Sequence, residues 1–187
     1  MKKLLVLIGA TLLVFGVVGQ AGAILLEGND IGFEWLFNST PYVSGDPTQT
    51  PPGAYPVGAS VEIPNAVGND TTQIDLSDTN IAVAWLGTFG SATFYGPHFF
   101  DTSAQIDPFT SVSINPETNV SGFDISRISF DEDNIWINLQ GLTGGTSDVD
   151  YKSVSLNLHS VPEPTTLLLL GIGLIGLAGL RRRKFFK

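Results

Sequence analysis

The chain contains no cysteine. That absence excludes a disulfide framework, a thiol nucleophile and any cysteine-ligated zinc site. Charge is also scarce: 14% of the residues are charged while 43% are hydrophobic, against roughly 25% charged in an average soluble protein. A disordered acidic tail would be charge-rich and aromatic-poor, so that class is excluded. Basic residues are scarcer still. Nine Lys and Arg stand against 18 Asp and Glu, for a net charge of −9 and a pI near 4.4. A phosphate-binding face needs the opposite balance, so nucleic acid is not a partner. His98 and His159 are the only two histidines. There is no Gly-x-Ser-x-Gly elbow, no His-Glu-x-x-His zinc helix and no glycine-rich phosphate loop followed by Lys. A length of 187 residues allows one ordinary domain with short appendages.

Apolar residues are concentrated at the two ends. Lys2 and Lys3 precede a run over residues 4–18 made of apolar residues, Gly and one Thr. A small-residue stretch follows, with Ala21 and Ala23 in an A-x-A arrangement. A basic n-region, an apolar h-region and an A-x-A site define a secretory signal peptide for the Sec export machinery, with cleavage expected after Ala23. The second run covers residues 167–180, and Arg181, Arg182, Arg183 and Lys184 follow it. Those 14 residues would rise about 21 Å as a helix, short of the roughly 30 Å hydrocarbon core. Thr165, Thr166 and snorkelling arginines bring the segment near the lower spanning limit. Positive residues at both ends face the cytoplasm, so the middle is expected to be exported. Residues 24–160 hold 17 acidic and two basic residues, a net charge of −15. Such a segment is soluble and unsuited to anionic surfaces.

Immediately before the second run stands Val161-Pro162-Glu163-Pro164. The two prolines remove backbone donors and favour an extended segment, easily threaded into a protease or transpeptidase cleft. Pro162, Glu163 and Pro164, then a short glycine-laced apolar helix, then Arg181, Arg182 and Arg183 at the chain end, resemble the PEP-CTERM sorting domain of Gram-negative bacteria. The resemblance covers residues 161–187. It implies recognition and processing by exosortase, an integral-membrane cysteine enzyme, and transient anchoring in the inner membrane. The implied final site is the cell surface or extracellular matrix, with a link to exopolysaccharide and biofilm. No Leu-Pro-x-Thr-Gly pentapeptide of the Gram-positive sorting signal occurs. The chain thus divides into a signal peptide (1–23), an exported domain (24–160) and a sorting tail (161–187).

The exported domain is expected to be all-β, an antiparallel β-sandwich of jelly-roll or immunoglobulin-like type, with a small barrel as the competing architecture. It carries short alternating apolar runs bounded by Gly, Pro, Asn and Asp. Residues 31–37 read as a core strand, and residues 38–56, with five prolines, as a loop. Residues 57–63 read as a strand with Val61 and Ile63 inward. Ile81, Val83 and Trp85 alternate, as do Val112 with Ile114 and Phe123 with Ile125. Ile128 and Phe130 then fall out of phase, and a bulge near Arg127 would restore the inward face. A hairpin is expected over 128–139, turning at Asp131, Glu132, Asp133 and Asn134. A turn over 141–145 leads to a last strand carrying Val154, Leu156 and Leu158.

Within this domain the reactive inventory is thin, and a non-enzymatic role is expected. His98 is expected at a strand edge and His159 at the end of the last strand. Seventeen acids make some close carboxylate pair inevitable, so a glycosidase pair carries no signal. No organic cofactor is implied. Calcium is the one metal the residues suggest, since Asp131, Asp133 and Asn134 cluster hard oxygen ligands in one turn, and Asp70, Asp75 and Asp78 form a second acidic loop region. Trp35 and Trp85 sit in apolar strands and are expected in the core. Trp136, between Ile135 and Ile137, should point outward, where it would suit a polysaccharide-binding face. A carbohydrate-binding module and a secreted hydrolase are the alternative functions.

Overall fold

Strand β1 (Asp30–Phe37) buries Ile31, Phe33 and Trp35 on one face and turns Glu34 to the other. Alternation of this kind sorts side chains between core and solvent in each of the longer strands. The computed structural model describes residues 26–68, 71–147 and 149–160. The signal peptide with Ala21 and Ala23, the sorting tail with Pro162, Glu163, Pro164, Arg181, Arg182 and Arg183, the apolar run expected to span the membrane, and Asp70 lie outside the described residues. Among the described residues no helix is long and apolar enough to cross a membrane.

After β1 come β2 (Thr40–Pro41), β3 (Gly53–Pro56), β4 (Thr72–Ser77), β5 (Asn80–Trp85), β6 (Tyr95–Asp101) and β7 (Phe109–Ile114). A single 3-10 turn (Ile125–Arg127) then leads into β8 (Ile128–Phe130), β9 (Asn134–Ile137) and β10 (Lys152–Ser160). One sheet runs β2-β1-β6-β9-β8, with β3 also paired to β1; the other runs β4-β5-β10-β7. Every strand pair is antiparallel. The two inner faces share one core, to which Phe33, Trp35, Phe99 and Ile135 come from the first sheet and Ile74, Val83, Leu156 and Leu158 from the second. This is the expected antiparallel sandwich. At one end Phe89 lies 5.4 Å from both Trp35 and Trp85, joining the sheets through three rings.

Four local expectations are corrected. The proline-rich stretch is not all loop, because β2 and β3 lie end to end along the edge of β1 away from β6. Edge strands tolerate proline where no ladder donor is needed, which accommodates Pro41 and Pro56. Residues 57–63 form no strand. Val57 and Ile63 are buried, but Val61 is 43% exposed, and only Ile63 bridges to Ile74. Phe123 and Ile125 do not alternate in a strand either: the phase break is the 3-10 turn, whose cap Asp124 accepts a bond from the Ser126 amide, and Ile125 is exposed. β8 then has the inward register, with Ile128 opposite Ile137 and Phe130 opposite Ile135, but as the sheet's last strand it leaves Phe130 40% exposed. Strand β4 had no strong apolar run to announce it. It places Asp75 on the outer side of a strand rather than in a loop, with Asp78 in the turn to β5.

Candidate ligand-binding face

The outer face of the larger sheet gathers the side chains that the alternation directs away from the core. Register sets them in one row across four strands: Glu34 on β1 opposite His98 on β6, His98 opposite Trp136 on β9, and Trp136 opposite Ser129 on β8. Side chains directly opposite one another sit about 4.5–5.5 Å apart, so each can touch the next. Trp136 points outward as the flanking Ile135 and Ile137 require, and both isoleucines are fully buried. Trp35 and Trp85 are in the core, also as expected.

His98 is the hub of this row, and it is not at an edge, because β6 lies between β1 and β9. Its imidazole stacks on the Trp136 ring with centroids 4.6 Å apart and planes 7° from parallel. The Phe100 ring lies 5.1 Å from the imidazole, tilted by 34°. Nδ1 is 2.8 Å from Glu34 Oε1, and Nε2 is 2.9 Å from Asn134 Oδ1. The Asn134 amide is oriented by its Nδ2, which donates to Asp131 Oδ1 at 2.8 Å. Both ring nitrogens of His98 are thus engaged, one by a carboxylate oxygen and one by an amide oxygen. Asp131 completes the chain of bonds. The Asn134 side chain and the Asp133 backbone N–H donate to its carboxylate, which is held below the usual range, with a smaller contribution from His98.

Beside this row lies a groove of ≈ 520 Å³ that is open to solvent. Leu36, Pro41, Phe94 and Trp136 give it apolar walls, and Glu34, Ser39, His98 and Ser129 supply polar groups. Strand β6 carries Gly96 within this face. A Cβ there would stand 2.0 Å from the Ile137 carbonyl oxygen, so only glycine lets β6 and β9 approach as they do. Glu34 and Ser129 are site residues that sequence reasoning missed, and Asn134 was singled out only as an oxygen ligand of the 131–134 turn. Glu34 had a visible signal, as the one charge inside an apolar strand, whereas its meeting with His98 depends on register.

The other candidates are dispersed. His159 Nε2 lies 3.3 Å from Ser113 Oγ on the exposed face of the second sheet, 46 residues apart in sequence. Asp131 Oδ1 braces its own turn, through Asp133 N at 2.9 Å and Asn134 Nδ2. Among the described residues no three His, Cys, Asp or Glu side chains gather so as to hold a metal ion. Of the two cations in the domain, Arg127 donates to the carbonyls of Gly122, Asn138 and Gln140, and Lys152 pairs with Asp150.

Comparison with protein families matches residues 160–184 to the PEP-CTERM protein-sorting motif. No curated protein and no solved structure matches the chain. The motif marks an exported protein that is sorted through the membrane with exosortase as its processing partner.

Proposed function

We propose that this chain, exported and directed to exosortase by its PEP-CTERM motif, is a non-enzymatic component of the cell surface or extracellular matrix linked to exopolysaccharide and biofilm. The carrying observation is the match over residues 160–184, which begins at the last residue of the sandwich's final strand. In this reading the signal peptide ends at Ala23, and the Sec machinery exports residues 24–160. Pro162, Glu163 and Pro164 are presented to exosortase, and the apolar run with Arg181, Arg182 and Arg183 holds the chain until processing. The surroundings of His98 support a role without catalysis. A general base needs a nitrogen free to take a proton from a nucleophile, and here Glu34 and Asn134 occupy both. No cofactor is required.

The test is expression of the tagged chain in a host with and without its exosortase. With the enzyme, intact mass should show loss of the residues after the Pro-Glu-Pro segment, and the protein should fractionate with the surface or matrix. Without it, the full tail should remain and the protein should stay with the inner membrane. Identical masses ending at Lys187 in both hosts would contradict the proposal.

A further inference from the structure

The groove beside Trp136 lies outside the matched sorting motif, and its construction carries a ligand class. The indole stands on the outer face of a strand, half-buried, although leaving a large ring partly in water forgoes burial energy. One of its faces is taken by the parallel His98 ring. On its opposite side the next residue in the row is Ser129, a short side chain on the last strand of the sheet, which leaves that flank open. Small-molecule sites combine apolar walls with a few placed polar groups in roughly 300–1,000 Å³. This groove meets that description, with ring and aliphatic surface from Trp136, Phe94, Leu36 and Pro41. Glu34 Oε1 is spent on His98, but its second oxygen makes no hydrogen bond among the described residues.

We infer that the groove binds an uncharged glycan, one sugar ring laying its C–H face on Trp136 with a hydroxyl bonded to Ser129, and a further sugar of the same glycan reaching Glu34 on the far side of His98. Rings of pyranose have one apolar face and a hydroxyl rim, which is the pairing that an aromatic wall beside a free acceptor and a hydroxyl accommodates. Charge chooses among glycans. The one ionisable pair in the groove, Glu34 with His98, closes on itself, and 17 acids against two bases in residues 24–160 repel a polyanion. An open groove lets a polymer pass across without needing a chain end. The inference deepens the proposed surface role and rests on it only for the source of the glycan.

The full chain, purified in a detergent without a sugar headgroup, is titrated with neutral glucan, mannan and galactan oligosaccharides, and with alginate and chitosan as the anionic and cationic arms. Trp35 and Trp85 are buried, so a saturable change in tryptophan emission reports Trp136. At least one neutral glycan should give that change. In affinity electrophoresis, Trp136→Ala should weaken binding by about tenfold or more. Ser129→Arg, placed at an exposed position clear of the core, should do the same while the melting temperature is kept. Binding of charged polymers alone, no neutral binding at millimolar ligand, or affinity unchanged by both variants would overturn the site. Failure of the site leaves processing by exosortase intact, whereas failure of the sorting proposal is read in the tail's mass and leaves binding intact.

Discussion

Asp131 shows how one side chain ties a turn to the face beside it. Its Oδ1 accepts from Asp133 N and from Asn134 Nδ2, and Asn134 in turn orients His98. These bonds favour the charged carboxylate and lower its pKa in the folded state. A lowered folded value gives stability that is complete above the unfolded pKa of about 3.9 and is lost as pH falls through the folded one. Asp124, lowered by the Ser126 hydroxyl and amide, has the same sign. Asp131→Asn should therefore lower the melting temperature at pH 7, and the gap from the native chain should narrow as pH is taken below about 4. Thermal melts across pH 2.5–7 check this, and a gap independent of pH would assign the turn's stability to something other than the charge. At this scale the outward aim of Trp136 was legible, because strand alternation forces it between two buried isoleucines. The partners of His98 were not, since Glu34 is 64 residues away and only sheet register brings the two together.

At the scale of elements, strands announced themselves where both alternation and β-branched or aromatic residues were present, as in β5 and β10. They were hidden where the apolar signal was short or proline intervened, as in β2, β3 and β4. The phase slip before β8 was visible, but a slip has two local solutions, a bulge and a tight helical turn. Asp124 and Ser126 chose the turn by capping it. The packing of β6 against β9 depends on a residue with no side chain. Gly96→Ala would force a Cβ to within 2.0 Å of a backbone oxygen that cannot rotate away. That substitution should cost at least about 2 kcal/mol and lower the melting temperature by several degrees. A melt within a degree of the native value would show that the two strands can part without loss. Gly32→Ala should cost less, because what it meets is the Phe100 ring, a side chain that can swing outward.

For the whole molecule, both sheets contribute to one core among the described residues. Among the described residues that core extends from Leu26 to Leu158. A chain of residues 24–160, freed of both apolar runs, should give a β-type circular dichroism spectrum, one cooperative melt and a monomer by light scattering. Its net charge of −15 produces self-repulsion, so added salt should raise the melting temperature modestly by screening. A helical spectrum or a broad, non-cooperative melt would contradict an autonomous domain. Cleavage should leave Ile24 as the first residue of exported material, and N-terminal sequencing reads this directly; retention of residues before Gly19 would contradict it.

The sequence by itself determined that this protein is exported and sorted through the membrane, and what class of fold it adopts. Both signals are local: the sorting motif is a short linear stretch with its residues in order, and strand alternation is written in neighbouring residues. It also determined which way each side chain on a strong strand must face, because the period of two leaves no choice once one face is buried. Only the tertiary structure decided which outward residues become neighbours. Glu34, His98, Trp136 and Ser129 come from four strands, and their row exists because β6 is inserted between β1 and β9. Strand order and register minimise the free energy of the whole core at once, so no stretch of the chain carries that information alone.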